Sequence, residues 1–245
     1  MDSGYYAAST ALVSHTQALD AIANNLANAS TVGYRAEHNV FSSVLESAGT
    51  APNTPLNSAI NNYGILSRTT LDLNQGSLQK TGNDLDVAVE GPGFFTVQTA
   101  DGPMYTRNGN FRVSTQGQLV TANGDAVMGD KGVINMLPGP VSISADGTIS
   151  SNGAVSGKLK VVEFPSGTQL SSTGNTYYSA PPKTAATATN SFVRQGSLES
   201  SNVNPVYSMV ELITEQRTTG MMQKALSMFN SEIDKTATQD LPKVG

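Results

Sequence analysis

The most constraining feature of this chain is a first helical segment with heptad spacing and almost no charge. Alternating steps of three and four residues place side chains on one helix face, which is typical of a helix that packs along another helix. The positions are Tyr5, Ala8, Leu12, His15, Leu19, Ile22, Leu26 and Ala29. Between Ser3 and Tyr34 the only formal charge is Asp20. Solvent-facing helices usually carry Glu, Lys and Arg, so we expect other copies of the protein to cover the outer face of this helix.

The composition of the chain argues against several classes of function. Of 245 residues 13% are charged, against about 25% in typical globular proteins. The net charge of −5, without clustered Lys and Arg, argues against nucleic-acid binding. The absence of cysteine excludes disulfides and thiolate metal sites. We also expect no membrane span, because no long apolar run occurs, and no cleaved secretory signal, because no basic residue precedes Arg35.

The order of sequence patterns predicts an α+β fold in which two terminal helices flank a β-rich middle. We divide the chain into an N-terminal helix with its following turn at residues 1–35, a connector at 36–75, a β-rich domain at 76–200 and a C-terminal helix at 201–245. The first helix is predicted over residues 4–29. Within the connector, residues 45–63 contain two prolines and no sustained periodicity, which indicates an irregular segment.

In the middle of the chain the apolar period changes to two, which indicates strands. Strands are predicted at residues 65–73, 86–90, 94–97, 157–164 and 192–195. Six dipeptides that end in glycine predict a sheet rich in hairpins. They are Asp101-Gly102, Asn108-Gly109, Gln116-Gly117, Asn123-Gly124, Asp146-Gly147 and Asn152-Gly153.

The C-terminal helix is predicted to begin at Pro205, with Asn204 as its N-cap, and to end before Pro242. Two apolar stripes are predicted on it, which consist of Val206, Met209, Val210 and Ile213, and of Met221, Ala225, Phe229 and Ile233. Gly220 lies inside the helix, where glycine costs about 1 kcal/mol relative to alanine. A close backbone approach by a neighbour is one explanation. We expect the two terminal helices, which are too apolar to be stable alone, to pair with each other.

Four separated motifs resemble, in the same order, the rod and hook group of bacterial flagellar axial proteins. They lie at residues 24–35 (NNLANASTVGYR), 85–95 (LDVAVEGPGFF), 105–124, which includes YTRNGNF, and 195–204 (QGSLESSNVN). Within the group, the short chain and the opening MDSGYY are more similar to proximal-rod members, with distal-rod or hook-type members as the alternative. One departure is that Thr218-Thr219-Gly220-Met221 follows Arg217, where the family usually carries an aromatic residue and a Glu.

The resemblance implies a structural subunit of the flagellar basal-body rod, located in the periplasm. Such a subunit is exported by the flagellar type III apparatus without a cleaved signal and polymerises with other rod proteins and with copies of itself. In relatives the terminal helices pair and form the inner tube. We therefore predict a subunit interface that includes Leu12, Leu19, Ile22, Asn24, Asn25, Leu26, Asn28, Val210, Ile213, Met221 and Phe229. Catalytic, cofactor and metal sites are not expected.

Several residues allow a second interpretation. The three asparagines could instead cap the end of the helix. For His15 a hydrogen bond between helices is the ordinary expectation and a pH switch the unusual one. At least one of Phe94 and Phe95 is predicted to lie in the core, with a binding patch as the alternative. Arg107 is expected to pair with an acidic neighbour, and such a pair would contribute little to stability on the surface.

Two other function classes compete with a structural subunit. A carbohydrate- or cell-surface-binding β module would favour exposed Trp or Tyr clusters, and the chain has no Trp. An enzyme would need a cleft with convergent titratable groups, and none of the common catalytic motifs is present.

Overall fold

A computed structural model describes residues 2–43, 65–165, 167–181, 184, 187–188 and 191–239. The irregular segment predicted at residues 45–63 lies outside these ranges. The chain divides into two compact units, a helical unit of residues 1–26, 37–69 and 205–245 and a β-rich unit of residues 27–36 and 70–204. The architecture is α+β, as predicted. In the described part of the chain, no helix combines the length and apolar character that crossing a membrane requires.

Two long helices form most of the helical unit. Helix α1 spans Asp2–Ala27 and helix α2 spans Pro205–Gln239. The α2 boundaries confirm the predicted start at proline, whose fixed φ suits the first helical position and whose missing N–H is not needed there. Helix α1 ends two residues before the predicted limit, because the chain turns at Asn28, whose carbonyl accepts a hydrogen bond from the Thr31 N–H at 3.0 Å.

The predicted heptad stripe of α1 is the side of the helix with partial burial. Ala8, Leu12, His15, Leu19, Ile22 and Leu26 are all half-buried. The corresponding side of α2 consists of residues at positions 208, 212, 215, 219, 222 and 226, all half-buried or buried. Three of these are polar, namely Ser208, Glu215 and Thr219. The buried side of α2 is therefore more polar than the apolar stripes predicted from the sequence.

A two-stranded antiparallel ribbon also belongs mainly to the helical unit. It pairs β1, Glu37–Ser43, with β2, Ile65–Leu71. The sequence predicted β2, although with an end at residue 73, and missed β1 because its pattern, EHNVFSS, does not alternate clearly.

The β-rich unit contains the other strands. They are β3 (Leu78–Lys80), β4 (Val87–Glu90), β5 (Phe94–Thr99), β6 (Gly102–Thr106), β7 (Phe111–Val113), β8 (Leu119–Thr121), β9 (Ala126–Gly129), β10 (Gly132–Val133), β11 (Val141–Ile143), β12 (Thr148–Ser151), β13 (Ala154–Lys158), β14 (Val161–Glu163), β15 (Ser171–Gly174), β16 (Tyr177–Ser179), β17 (Thr187–Ala188), β18 (Phe192–Gln195) and β19 (Ser197–Glu199). The strand predicted at 157–164 is interrupted, because the chain passes from β13 to β14 and these strands pair with different partners.

The main sheet has the strand order β15-β16-β6-β5-β9-β8-β7, with β10 beside β9 and with β14 joining β5 to β17. A second sheet has the order β11-β12-β13. Two further pairs bring distant parts of the chain together, since β18 pairs with β4 and β19 pairs with β3. The last strands before α2 are therefore held by the first strands of the unit.

Five of the six predicted turns connect antiparallel neighbours, namely β5 and β6, β7 and β8, β8 and β9, β11 and β12, and β12 and β13. The exception is Asn108-Gly109, since β6 and β7 are not paired. A Cβ at Gly109 would lie 1.6 Å from the Val87 carbonyl oxygen. This glycine is therefore needed for a close contact between two backbone segments.

The core of the β-rich unit is formed by side chains from both sheets. It includes Val87, Val89, Phe95, Val97, Phe111, Leu119, Val127, Ile134, Ile149 and Leu159. A smaller cluster contains Phe94, Leu170 and Tyr178. Phe94 and Phe95 are both buried, which confirms the prediction that at least one of them lies in the core. They lie in different clusters because neighbouring residues of a strand point to opposite faces.

Candidate subunit interface and a buried charge cluster

The outer face of α2 is apolar and exposed. Val210, Ile213 and Met221, three residues of the predicted interface, have between 51% and 64% of their surface exposed. Val206, Met209 and Met228 are exposed on the same helix. A contiguous run of exposed apolar side chains is typical of a surface that another protein covers. The side chain of Phe229, also predicted at the interface, lies outside the described part of the chain.

The predicted interface residues of α1 are less exposed. Four of them lie on the half-buried heptad stripe of α1, namely Leu12, Leu19, Ile22 and Leu26. Asn24 is exposed. From residue 8 onward, where side chains are described, the outer side of α1 carries one large exposed apolar residue, Val13. The two helices therefore differ, because α1 presents a polar outer face and α2 an apolar one.

Asn25 and Asn28 form side-chain hydrogen bonds within the chain. Asn25 is buried, and its side-chain amide pairs with the backbone of Glu37, donating to the carbonyl oxygen at 2.7 Å and accepting from the N–H at 2.8 Å. Asn28 accepts a hydrogen bond from the Thr31 hydroxyl at 3.1 Å. Asn25 therefore fixes the start of β1 against the end of α1. Their part in a subunit interface stays a prediction.

The predicted hydrogen bond of His15 to the other helix is confirmed. Its Nδ1 contacts the Glu215 carboxylate of α2, and both side chains are partly buried. This contact fixes one point at which the two terminal helices meet.

A buried charge cluster lies inside the β-rich unit, where Glu199 stands between two arginines. Its Oε1 is 2.7 Å from an Arg35 guanidinium nitrogen, and its Oε2 is 3.2 Å from an Arg107 guanidinium nitrogen. All three residues are at most 1% exposed. We call these three residues the Arg35–Glu199–Arg107 cluster.

Backbone groups and an aromatic ring compensate for the excess positive charge of the cluster. Arg35 donates to the Asn74 carbonyl at 2.6 Å, and Arg107 donates to the Gly91 carbonyl at 2.7 Å. The Arg107 guanidinium also lies over the Phe94 ring, 4.7 Å from its centroid, in a cation–π contact. The carboxylate of Glu199 in addition accepts from the Gly76 N–H at 2.9 Å.

Burial changes the pKa of Arg107. Desolvation lowers the pKa of the Arg107 guanidinium to about 10, since the Glu199 carboxylate only partly offsets the effect of burial and Arg35 adds repulsion. The guanidinium nevertheless stays protonated at neutral pH. The Nε atoms of both arginines have no hydrogen-bond partner within the described part of the chain. The cluster therefore depends on Glu199, whose loss would leave two buried cations.

The cluster joins the ends of the β-rich unit that lead to the terminal helices. Arg35 follows α1 by eight residues, and Glu199 precedes α2 by six. Two further contacts connect the same segments, since the Gly33 N–H donates to the Glu199 carbonyl at 2.8 Å and the Ala36 N–H donates to the Asn202 side chain at 2.7 Å.

Gly33 is required at this junction for two reasons. Its φ is +70°, a conformation that favours glycine, and a Cβ would lie 2.4 Å from the Asn108 backbone nitrogen. The TVGYR segment therefore packs directly on the backbone of the YTRNGNF segment.

The predicted pairing of Arg107 with an acidic residue is confirmed, but its expected place on the surface was wrong, because the ion pair with Glu199 is buried. The cluster as a whole was also missed, although each member lies in one of the quoted motifs. The two arginines and the glutamate stand in three different motifs, and Glu199 is 92 or more residues away from either arginine in sequence. Sequence spacing cannot identify such contacts.

Other acidic residues have structural roles. Asp86 is buried and accepts hydrogen bonds from the side-chain amides of Asn83 at 3.1 Å and Asn110 at 2.9 Å. In the part of the chain that the structure describes, no group of three or more His, Cys, Asp or Glu side chains is arranged to hold a metal ion.

Three family models match this chain. The flagella basal body rod protein model covers residues 6–35, the D1 domain of the flagellar hook protein FlgE/F/G covers 88–156, and the C-terminal domain of the flagellar basal body rod FlgEFG protein covers 194–239. They match the order of α1, the β-rich unit and α2. The first model ends at Arg35 and the third begins at Arg194. These two models therefore include Arg35 and Glu199 of the buried cluster.

Whole-chain relatives agree with these models. The flagellar basal-body rod protein FlgF of Caulobacter vibrioides is 32% identical over 249 residues, which cover 100% of both chains. FlgF of Escherichia coli is 34% identical over 93% of this chain and 94% of its own length. FlgG of Buchnera aphidicola subsp. Schizaphis graminum is 32% identical over 89% of this chain and 92% of its own length. With such identity over its whole length, this chain belongs to the flagellar basal-body rod protein family.

Proposed function

We propose that this protein is a structural subunit of the bacterial flagellar basal-body rod, which polymerises with other axial proteins and copies of itself into the drive shaft that crosses the periplasm. The observation that carries this proposal is the exposed apolar face of α2, combined with membership of the rod protein family. The export apparatus of the flagellum is its expected second partner, and a proximal position in the rod is supported by full-length similarity to FlgF.

The polarity of the two helix faces supports assembly through the helices. Exposed apolar residues on α2 would be costly in a protein that stays monomeric, since burial of one Val or Ile side chain contributes about 1.5–3 kcal/mol. Among the described residues, the outer face of α1 has fewer exposed apolar side chains than the outer face of α2. We therefore assign cohesion between subunits mainly to α2, and pairing within the subunit to α1.

The half-buried positions of α1 and α2 match when the two helices are paired antiparallel. With His15 opposite Glu215, Ile22 lies opposite Ser208 and Ala8 lies opposite Met222. Each of these residues is buried or half-buried. Such a match is expected for two helices packed in a coiled-coil manner.

Subunit contacts of this kind are heterologous. The apolar face of α2 must meet a different surface on the next subunit, and a contact between unlike surfaces extends into a helical filament when the rotation does not close. The Arg35–Glu199–Arg107 cluster would then keep the segment after α1 and the segment before α2 at fixed positions while the rod turns.

The test is a Val210→Ser, Ile213→Ser double variant, expressed in the bacterium from which the native gene is deleted. Both side chains are exposed, so we expect normal folding by far-UV circular dichroism but loss of swimming and absence of the protein from isolated basal bodies. The matched control is Leu137→Ser with Val155→Ser, which removes two exposed apolar side chains from the β-rich unit. Normal swimming and rod incorporation of the α2 variant would contradict the proposal.

A further inference from the structure

An open cavity of ≈ 330 Å³ lies in the helical unit, between the outer face of α1 and the β1–β2 ribbon. Gln17, Asp20 and Asn24 line it from the helix, and Glu37, Asn39 and Thr69 line it from the strands. A single water in the liquid occupies about 30 Å³. The cavity therefore has room for a long side chain and is much larger than one bound ion needs.

The lining of this cavity is suited to a cation with several N–H donors. Two acidic residues, Asp20 and Glu37, line it, and neither of them takes part in the ion pairs found among the described residues. The Asn39 side-chain oxygen already accepts from the Thr69 hydroxyl at 3.0 Å, which holds the strand side of the cavity. Carboxylate and amide oxygens around such a space match a guanidinium, which offers five donors in a plane.

The same chain carries an arginine suited to this cavity. Arg217 is exposed on the outer face of α2 and takes part in no ion pair among the described residues. It follows the apolar residues Val210 and Ile213 on that face, at helical steps of seven and four. If another molecule covers Val210 and Ile213, it therefore also takes the Arg217 side chain out of bulk solvent.

Gly220, one turn after Arg217, provides a second observation. A glycine weakens a helix interior, yet a Cβ at Gly220 would meet no described atom within 4 Å. The described residues therefore give no reason for the missing side chain at Gly220. A close approach by another molecule on the Arg217 side of α2 would give one.

We propose that the Asp20–Glu37 cavity of one copy receives the Arg217 side chain of a second copy of this chain. This inference rests on the proposed rod function, and it names the partner surface for the outer face of α2. In a helical filament all copies have the same polarity, so α1 and α2 of neighbouring copies are antiparallel when they are antiparallel within one copy. With Asp20 opposite Arg217, Gly220 then lies opposite the long side chain of Gln17, and Ile213 lies opposite Asn24.

Charge reversal tests this contact with the full-length protein. Self-association by sedimentation velocity should weaken about tenfold for Asp20→Arg alone and for Arg217→Asp alone, because each places like charges at the contact. An equimolar mixture of the two variants should associate like the unchanged protein, since each variant then supplies the charge that the other lacks. The mixture is decisive because a contact within one chain cannot be restored by mixing.

Lys224→Asp is the matched control, with the same charge change on the same face of α2 two turns further along. It should leave association unchanged, since its position opposite Val13 offers no carboxylate. Far-UV circular dichroism of each variant establishes folding.

The inference is overturned if the mixture associates no better than each variant alone, if Asp20→Arg behaves like Lys224→Asp, or if the unchanged protein does not self-associate. The rod function is judged separately by swimming of the Val210→Ser, Ile213→Ser variant. Loss of swimming there, together with failed restoration here, would keep the rod function and reject this contact.

Discussion

The two units of this protein treat charge and apolar surface in opposite ways. The β-rich unit buries three charged side chains in the Arg35–Glu199–Arg107 cluster and keeps most of its large apolar residues in a core. The helical unit places polar residues such as Ser208 and Thr219 on the buried side of α2 and leaves Val210 and Ile213 outside. The charge cluster is complete within one chain, whereas under the proposed function the exposed apolar face of α2 is covered by another molecule.

This difference explains where substitutions should act. A change in the cluster removes interactions that the isolated chain already has, so it should lower the free energy of unfolding. Under the proposed function, a change on the outer face of α2 removes interactions that form only in an assembly. Four stability experiments test how far this contrast holds.

The largest effect is expected for Glu199→Gln. The variant keeps the shape of the side chain but leaves two buried guanidinium groups without a counter-ion, which should lower the free energy of unfolding by about 3–5 kcal/mol. Urea unfolding followed by tyrosine fluorescence measures it. The control is Glu90→Gln in the exposed Arg194–Glu90 pair, where we expect a loss of about 0–1 kcal/mol. Equal losses in both variants would contradict the contrast between buried and exposed pairs.

The second effect concerns the backbone contact at Gly109. In Gly109→Ala the added Cβ would collide with the Val87 carbonyl, and forced overpacking of this kind costs about 2–3 kcal/mol. The same urea measurement applies. Gly157→Ala serves as the control, since its Cβ would stand at an ordinary 3.5 Å from Ile134. A neutral Gly109→Ala would show that the junction between β6 and β7 can relax.

The third effect separates two neighbouring asparagines. Asn25→Ala leaves the Glu37 N–H and carbonyl without their partner, which should cost about 1–3 kcal/mol and speed amide exchange at residue 37. Asn24→Ala removes an exposed side chain and should change stability by less than about 0.5 kcal/mol. Equal protection of residue 37 in both variants would show that the Asn25 pairing contributes nothing.

The smallest effect has the opposite sign. Gly220→Ala should stabilise the isolated chain by up to about 1 kcal/mol, because alanine is the better helix former and no described atom lies in its way. Thermal unfolding by far-UV circular dichroism measures it, and Ala225→Gly at an exposed position of the same helix should give a loss of similar size. Destabilisation by Gly220→Ala would mean that the site is crowded within the chain.

The elements with strong local signals were predictable. Helix α2 begins at Pro205 because its N-cap and proline are adjacent in sequence, and five of the six glycine dipeptides form hairpin turns because two residues determine such a turn. Strand β1 was missed, since EHNVFSS has no clear alternation and its pairing partner lies beyond residue 64. The division of α2 into a buried polar side and an exposed apolar side was also missed, because helical spacing identifies a stripe without saying which side is covered.

The sequence by itself determined the two terminal helices, the hairpin-rich middle and the family, since each depends on residues close together in the chain or on motifs that can be compared directly. Only the tertiary structure decided that Arg35, Arg107 and Glu199 form one buried cluster, and that Asn25 is bound to Glu37. Those contacts join segments far apart in sequence, and their energies come from burial and from the removal of water, neither of which local spacing specifies.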